Sequence, residues 1–403
     1  MFKHRTIETF IKKADNNFKT LLLTGMRQVG KTTVLQDLAT ADRTYITLDD
    51  VLSLKLAKED AYLFFQTYKA PLLIDEIQYA PELFPHIKML VDKSSQLGQI
   101  WMTGSQQFLL MKGVSESLAG RLAVLELMGF SIYEQEGKGD RQKPFLPSPT
   151  PASVLSRKSF SETYRTIWKG SFPEITLKDD DVWMLFYSSF VKTYIERDVR
   201  QLLNIGNELM FYNFLKVVAA RTGQELNMTD IANSLDISLN TVKSWLSVLQ
   251  ASGIIYLLPP YYENITKRIV KRPKLYFLDT GLCAYLTDWN TPEALSSGAM
   301  NGAIFETFVI LEILKSYKHN GLQPSFYYYR DNNKVEIDLL IVQNGVFYPV
   351  KIKRTASPER KMIKNFDVLE SLGKKVGYGS LICLTEKVLP LTQKANAISF
   401  WDI

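Results

Sequence analysis

The sequence has 403 residues, of which 46% are hydrophobic and 22% charged, and its formal net charge at pH 7 is +6. Because a domain usually contains about 100–200 residues, the length excludes a single core and predicts two to four domains. The composition is typical of a globular protein, and no uninterrupted apolar run is long enough to predict a membrane span.

The first 136 residues alternate apolar strands with helical patterns, which predicts a parallel three-layer α/β domain over residues 1–136. The predicted strands are Lys19–Leu23, Tyr45–Leu48, Pro71–Ile74, Ile100–Gly104 and Val124–Leu127. The third strand is entirely apolar, as expected for a central position in a parallel sheet.

A phosphate-binding motif, G-x4-G-K-[ST], lies between the first predicted strand and a helix, which is the context it requires. Backbone amides of such a loop wrap phosphate oxygens, while its lysine neutralises the β- and γ-phosphates and its threonine ligates Mg²⁺. We therefore predict ATP and Mg²⁺ as cofactors. The predicted nucleotide-binding residues are Gly25, Met26, Arg27, Gln28, Val29, Gly30, Lys31, Thr32 and Thr33.

Two acids follow the third predicted strand. Asp75 is placed to complete the Mg²⁺ shell with Thr32, and Glu76 is placed to act as general base for the attacking water. Ser105, after the fourth strand, is the predicted γ-phosphate sensor, with an ordinary polar strand end as the alternative. Arg121 is a candidate arginine finger acting in its own chain or across a subunit interface, with a surface arginine as the alternative.

The middle of the sequence divides into three segments that differ in composition and predicted secondary structure. Residues 137–158 are polar and proline-rich and are predicted to form a linker or mobile loop, and residues 159–204 turn helical. Residues 205–290 predict a winged helix-turn-helix, in which two helices precede a two-stranded wing. The candidate DNA contacts are Thr241, Lys243 and Ser244 on its second helix, with Lys267, Arg268, Lys271, Arg272 and Lys274 in the basic wing.

Several of these motifs resemble the AAA+-type ATPases of bacteria and archaea whose C-terminal half is a domain of unknown function. The resemblance covers nearly the whole chain and is carried by Gly25–Thr33, Leu73–Gln78, Thr103–Ser105, Leu118–Arg121 and Tyr194–Arg200. It implies a P-loop ATPase with a helical lid, a winged helix and a C-terminal domain similar to the PD-(D/E)xK nucleases.

The resemblance places this α/β nuclease-like domain at residues 291–403. Asp338 and Lys353 fit its pattern and Glu306 lies on its first helix, but Lys351 stands where a second acid is expected. Because a cation there replaces a metal ligand, we predict an inactive, vestigial nuclease site. The alternative is that Asp338 and Lys353 form only a structural pair.

The leading hypothesis is a Mg²⁺-dependent ATPase that couples nucleotide state to double-stranded DNA or to a partner protein, with oligomerisation allowed. Two alternatives stay open: a nucleotide-controlled signalling or assembly switch without DNA, and an ATP-dependent nuclease. Because Cys283 and Cys383 predict no disulfide framework and the N-terminus has no secretory signal pattern, we expect a cytoplasmic location.

Overall fold

The computed structural model describes residues 3–105, 118–151, 154–199, 208–264, 268 and 271–403. Its α-helices are α1 Glu8–Asp15, α2 Lys31–Leu38, α3 Val51–Glu59, α4 Ala61–Thr67, α5 Leu83–Lys93, α6 Ile132–Gln135, α7 Phe160–Lys169, α8 Pro173–Thr176, α9 Trp183–Thr193, α10 Glu208–Ala219, α11 Met228–Leu235, α12 Leu239–Ala251, α13 Thr280–Leu286, α14 Pro292–Ser297, α15 Asn301–Lys318 and α16 Val368–Ser371.

The strands are β1 Thr20–Thr24, β2 Thr44–Thr47, β3 Leu72–Asp75, β4 Ile100–Gly104, β5 Leu122–Glu126, β6 Gln224–Glu225, β7 Ile255–Leu258, β8 Lys274–Phe277, β9 Phe326–Arg330, β10 Glu336–Gln343, β11 Val346–Ile352, β12 Lys375–Val376, β13 Gly379–Cys383, β14 Leu389–Thr392 and β15 Ala395–Ser399. Short 3₁₀ helices include Ile77–Tyr79 and Arg360–Asp367, and a π-helix spans Tyr194–Val199.

The N-terminal sheet has the strand order β2-β3-β4-β1-β5, and all of its neighbouring strands run parallel. Every residue of β1, β3 and β4 is buried, as apolar runs covered by helices on both faces should be. The predicted α/β class and the five predicted strands are confirmed. The carboxyl ends of β1, β3 and β4 consequently meet at one edge.

A helical region follows, and its last part combines three helices with a small antiparallel sheet. The side chains of Asn227 and Ser238 cap α11 and α12, and the sheet order is β6-β8-β7. Trp245 of α12 lies edge-on against Phe211 and Phe214 of α10, with ring centroids 5.1 and 5.2 Å away. The elements follow the order predicted for this region, although its winged-helix assignment stays a prediction.

The C-terminal region contains a mixed sheet of order β14-β15-β13-β11-β10-β9, with β12 beside β11. The long helix α15 is buried along most of its length and contacts residues of the N-terminal region as well as this sheet. Between β11 and β12 the chain forms the 3₁₀ helix Arg360–Asp367, followed by the short α16.

The proline-rich segment 137–158 is packed in its described part. Phe145 is buried, and its amide donates to the Ser316 hydroxyl of α15 at 3.0 Å. The carbonyl of Ser148 accepts a hydrogen bond of 3.0 Å from the Asn396 side chain. The described part of the segment is therefore packed against α15 and β15 of the C-terminal region, unlike the predicted mobile loop.

Both cysteines are buried and free, as predicted. Among the described helices, none is both long and apolar enough to cross a membrane.

A single carboxylate, that of Asp279, joins the helical region to the helix α13. It is 1% exposed and accepts hydrogen bonds from the Ser171 amide (2.7 Å), the Ser171 hydroxyl (2.9 Å), the Tyr187 hydroxyl (2.8 Å) and the Leu282 amide (2.8 Å). Burial and the neighbouring Asp279 carboxylate raise the pKa of Tyr187 well above its ordinary value, so this hydroxyl keeps its proton.

We predict that Asp279→Ala lowers the free energy of unfolding by about 3 kcal/mol or more, because it leaves several buried donors without a hydrogen-bond acceptor. Urea denaturation followed by circular dichroism measures the change. The control is Glu370→Ala, which removes an exposed carboxylate paired with Lys394 and should leave the midpoint unchanged. Equal midpoints for the two variants would contradict the role of Asp279.

Candidate functional site

The loop between β1 and α2 has a backbone shape that only certain residues allow. Gly25 has φ +147°, and a Cβ atom there would lie 2.1 Å from the Leu127 carbonyl oxygen. Gln28 and Gly30 are left-handed, with φ of +61° and +89°. Such turns direct successive amides into a concave surface, and the amino end of α2 adds its partial positive charge.

Lys31 begins α2, and its ammonium group lies over the loop. The Nζ atom donates to the carbonyl oxygens of Gly25 (3.0 Å) and Met26 (2.9 Å), and the residue is only 6% exposed. The side chains of Met26 and Val29 are buried in the core, so these two residues offer the loop's concave side only their backbone.

Asp75, the last residue of β3, accepts hydrogen bonds from three hydroxyl groups. Thr32 Oγ1 donates to its Oδ1 at 2.7 Å, Thr103 Oγ1 donates to the same oxygen, and Tyr45 donates to Oδ2 at 3.1 Å. Burial and the Asp75 charge raise the pKa of Tyr45 to about 12, so Tyr45 remains a donor at neutral pH. The structure thus brings together the predicted metal ligands Thr32 and Asp75, whose oxygen atoms suit Mg²⁺.

Glu76 adopts a left-handed backbone conformation, with φ +56°, directly after β3. Its backbone amide donates to Thr103 Oγ1 at 3.0 Å. Its carboxylate accepts from the Gln78 side-chain amide and, at 3.4 Å, from Ser105 Oγ. Ser105 therefore lies beside Glu76, while its role as a γ-phosphate sensor stays a prediction. Gln78, which also donates to Ser105 Oγ at 3.2 Å, was not predicted.

A cavity of about 450 Å³ opens over these groups. On one side it is lined by Arg27, Gln28, Gly30, Lys31, Thr32, Thr33 and Glu76. The other side is formed by the helical region, through Pro173, Glu174, Phe190, Thr193 and Tyr194. No local pattern predicted these contacts, although Tyr194 begins one of the motifs noted in the sequence.

Arg121 lies at the opposite edge of the sheet from this cavity. Its carbonyl accepts from the amide of Thr20, the first residue of β1, at 3.3 Å, whereas the loop follows the last residue of β1. Its guanidinium forms a half-exposed ion pair with Asp92. An arginine finger acting within the chain is therefore wrong, and action across a subunit interface stays a prediction.

The candidate DNA contacts divide into exposed and buried groups. Lys243 and Ser244 on α12 are exposed, as are Lys271 and Arg272, while the Thr241 hydroxyl is hydrogen bonded to Ser238 Oγ at 2.8 Å. Lys267 lies outside the described residues.

Two of the predicted wing contacts are engaged inside the protein. Arg268 is half-buried, with its guanidinium 4.9 and 5.0 Å from the ring centroids of Tyr261 and Tyr327. Lys274 is 4% exposed and lies between Glu306 (3.1 Å) and Glu336 (2.7 Å). The prediction that Lys274 contacts DNA is therefore wrong, because two carboxylates from distant parts of the chain bury it.

The predicted vestigial site is partly assembled. Asp338 is 2% exposed and accepts from Lys351 Nζ at 2.6 Å and from the Ile352 amide at 2.7 Å. Lys353 is exposed, so the structural pair is Asp338–Lys351 rather than Asp338–Lys353. Burial and repulsion by Asp338 raise the pKa of Glu306.

The cations in this cluster fill the positions around its acids. Lys274 contacts Glu306 and Glu336, and Lys351 contacts Asp338. Tyr276 donates a hydrogen bond of 2.7 Å to Glu306. Within the described ranges, no three histidine, cysteine, aspartate or glutamate side chains gather into a metal-binding group. Lys274 and Tyr276 were not predicted here, since they come from β8.

Comparison with known families assigns the two ends of the chain. Residues 17–136 match a family described as an AAA domain, and residues 301–403 match a domain of unknown function, DUF4143. Residues 161–293 match a second domain of unknown function, DUF8612. Residues 17–136 are therefore an AAA-type P-loop domain, and residues 301–403 are a DUF4143 domain.

Similar proteins occur in bacteria and archaea. The chain is 28% identical over 360 residues to the uncharacterised protein Rv2008c of Mycobacterium tuberculosis, covering 89% of this chain and 75% of the relative. It is 26% identical over 383 residues to the uncharacterised protein MJ1544 of Methanocaldococcus jannaschii, covering 90% and 80%. Among solved structures, the Walker-type ATPase PABY2304 of Pyrococcus abyssi aligns with a TM-score of 0.47 and 15% identity over 71% of this chain and 96% of that chain.

Proposed function

We propose that this protein binds Mg·ATP in the cavity above β1, β3 and β4 and hydrolyses it, using the nucleotide state to control binding of double-stranded DNA or of a partner protein. The observation that carries the proposal is the hydrogen-bonded set Thr32–Asp75–Thr103–Glu76–Ser105 beside the glycine-rich loop. It brings a hydroxyl and a carboxylate for a metal next to a carboxylate suited to act as a base.

In this proposal the amides of residues 25–32 and the Lys31 ammonium bind the phosphates. Thr32 and Asp75 would hold Mg²⁺, which neutralises phosphate charge. Glu76 accepts a proton from the attacking water, and Gln78 and Ser105 hold the Glu76 carboxylate in place. The Glu76 amide donates a hydrogen bond to Thr103 Oγ1, which holds this amide in place, so the base keeps its left-handed conformation.

The coupling part of the proposal rests on contacts between the glycine-rich loop and the end of α12. A Cβ atom placed on Gly253 would lie 3.5 Å from Met26, an ordinary van der Waals distance, so the loop and the end of α12 are neighbours. Tyr194, which lines the cavity, donates a hydrogen bond of 3.1 Å to Ser252 Oγ. Any displacement of the loop or of Tyr194 would act directly on the helix that carries Lys243.

Four units carry this function: an ATPase core (1–136), a helical lid (159–204), a winged helix (205–290) and an inactive nuclease-like domain (291–403). The exposed Lys243, Lys271 and Arg272 support DNA as the partner. A DNA-independent switch is the second candidate, favoured because Lys274 and Arg268 are engaged within the protein.

We expect Lys31→Ala to weaken ATP binding on the order of 100-fold, since it removes the cation facing the phosphates. Glu76→Gln should bind ATP normally but turn it over at least about 100-fold more slowly, because an amide cannot accept the proton. Calorimetry and a phosphate-release assay measure the two quantities. Glu82→Gln changes an exposed carboxylate of the same domain and serves as control. Wild-type turnover by Glu76→Gln would remove the base assignment.

The coupling predicts that a labelled DNA duplex binds with an affinity that differs at least about fivefold between ADP and a non-hydrolysable ATP analogue. Tyr194→Phe and Ser252→Ala should reduce this difference, because they remove the hydrogen bond to α12. Ser247→Ala is the matched control, since that exposed hydroxyl on α12 bonds only within its own helix. If DNA binding is absent, or does not weaken steeply with salt, the DNA-independent switch replaces this reading.

We expect no DNA cleavage in Mg²⁺ or Mn²⁺, because Lys351 lies on the Asp338 carboxylate that a metal would need. Incubation of plasmid DNA with each metal, with and without ATP, tests this. Cleavage that disappears in Asp338→Ala would make the protein a nuclease.

A further inference from the structure

Arg5 lies before α1, outside every sequence motif, yet its guanidinium contacts the glycine-rich loop. The residue is 3% exposed. Its Nη1 donates to the Val29 carbonyl at 2.9 Å, and its Nη2 donates to the Met128 carbonyl at 2.7 Å. One planar group therefore joins the loop to the segment that follows β5.

The bond to Val29 fixes the next amide of the loop. A trans peptide unit is planar, so its carbonyl and its N–H point in opposite directions. With the Val29 carbonyl held on Arg5, the Gly30 N–H points away from Arg5. Gly30 lines the cavity in which the phosphates are proposed to bind.

The guanidinium is paired with one buried carboxylate, that of Glu134, which in turn contacts His319. Its Nε lies 3.1 Å from Oε1 of Glu134, and this oxygen also accepts from the Thr6 amide at 2.8 Å. His319, at the end of α15, places Nδ1 3.2 Å from the same oxygen. Although burial opposes its ionisation, Arg5 and His319 hold the pKa of Glu134 well below its usual range.

A second contact of His319 shows which of its ring nitrogens carries the proton. The Met128 amide donates to Nε2 of His319 at 3.2 Å, so Nε2 carries no proton. The ring proton is therefore on Nδ1 and faces Glu134. A residue of the DUF4143 domain thus supports the carboxylate that holds Arg5 under the loop.

We propose that Arg5 is a positioning residue for nucleotide binding, which fixes the Val29–Gly30 peptide so that its N–H faces the triphosphate, with Glu134 and His319 holding Arg5 in place. The inference rests on the proposed ATP binding and adds three residues to that site. None of them lines the cavity, so they act through the loop backbone.

Arg5→Ala should raise the KM and the Kd for Mg·ATP at least about tenfold, the effect expected for losing a charge-assisted hydrogen bond that orders the loop. Arg5→Lys should recover part of this, because it restores one donor but not the planar fork. His319→Gln should raise KM less. Nucleotide titration by calorimetry and steady-state turnover, at a temperature where each variant is folded, give these values.

The matched control is Arg43→Ala. The Arg43 side chain is 5% exposed, against 2% for Arg5, and lies at the sheet edge opposite the loop. Its guanidinium is 3.9 Å from the Trp101 ring centroid and donates a 2.9 Å hydrogen bond to the Gly98 carbonyl. It should lower the thermal midpoint yet leave KM within about twofold. Hydrogen exchange of residues 25–33 with Mg·ATP should show protection in wild type and in Arg43→Ala, and its loss in Arg5→Ala.

The outcomes separate the two ideas. Failure of the wild-type protein to bind Mg·ATP overturns the proposed function and this inference with it. If the wild type binds Mg·ATP normally, and the KM values of Arg5→Lys and Arg5→Ala equal that of the wild type or of Arg43→Ala, the role of Arg5 is overturned and the proposed function stands. If Arg5→Ala does not fold, Arg5→Lys and His319→Gln decide the question through the KM of each variant relative to that of the wild type.

Discussion

The order of strands in the N-terminal sheet determines which side chains can meet at its carboxyl edge. Because β4 lies between β1 and β3, the glycine-rich loop and the acids after β3 are not on adjacent strands. Thr103 of β4 lies in this gap, and its hydroxyl contacts both the Asp75 carboxylate and the Glu76 amide. Thr32, at the end of the loop, crosses the gap by donating directly to Asp75.

Buried charges connect the parts of this chain, and each one described above has partners of opposite charge or hydrogen-bond donors. Asp279 collects donors from the helical region, Lys274 joins β8 to two acids of the C-terminal region, and Glu134 joins Arg5 to His319. An unpaired charge in such a place costs several kcal/mol, on the order of 3–5. Separating these regions would therefore expose or strand charges, which favours small rearrangements over wide opening.

The sequence was sufficient where function depends on residues that are close in the chain. The loop at 25–32 and the acids 75–76 follow apolar strands, and parallel pairing alone brings their ends to one edge. It was insufficient where a side chain's environment comes from distant segments. Lys274 looks like part of an exposed basic run, yet acids at 306 and 336 enclose it, and Arg121 precedes its strand rather than following it.

The contacts of the helical region with the cavity and the proposed role of Arg5 could not be predicted from the sequence for the same physical reason. Pro173 and Tyr194 reach the cavity only because the helical region folds back over the loop. Arg5 is 24 residues before Val29 and 129 before Glu134, and no periodicity relates such positions. A buried arginine beside two carbonyl groups is visible only after the chain has folded.

The glycine-rich loop is held from two sides by contacts of unequal stiffness. On the side of α15, a charge-assisted hydrogen bond joins Val29 to Arg5, and ion pairs of 3.1 and 3.2 Å link Arg5 and His319 to Glu134. On the side of α12, Met26 lies beside Gly253, where a Cβ atom would still keep 3.5 Å from it. Directional bonds to charged groups resist displacement more than a contact with a glycine does. In the proposed coupling, a loop that adjusts to a different nucleotide therefore moves against α12 rather than against α15.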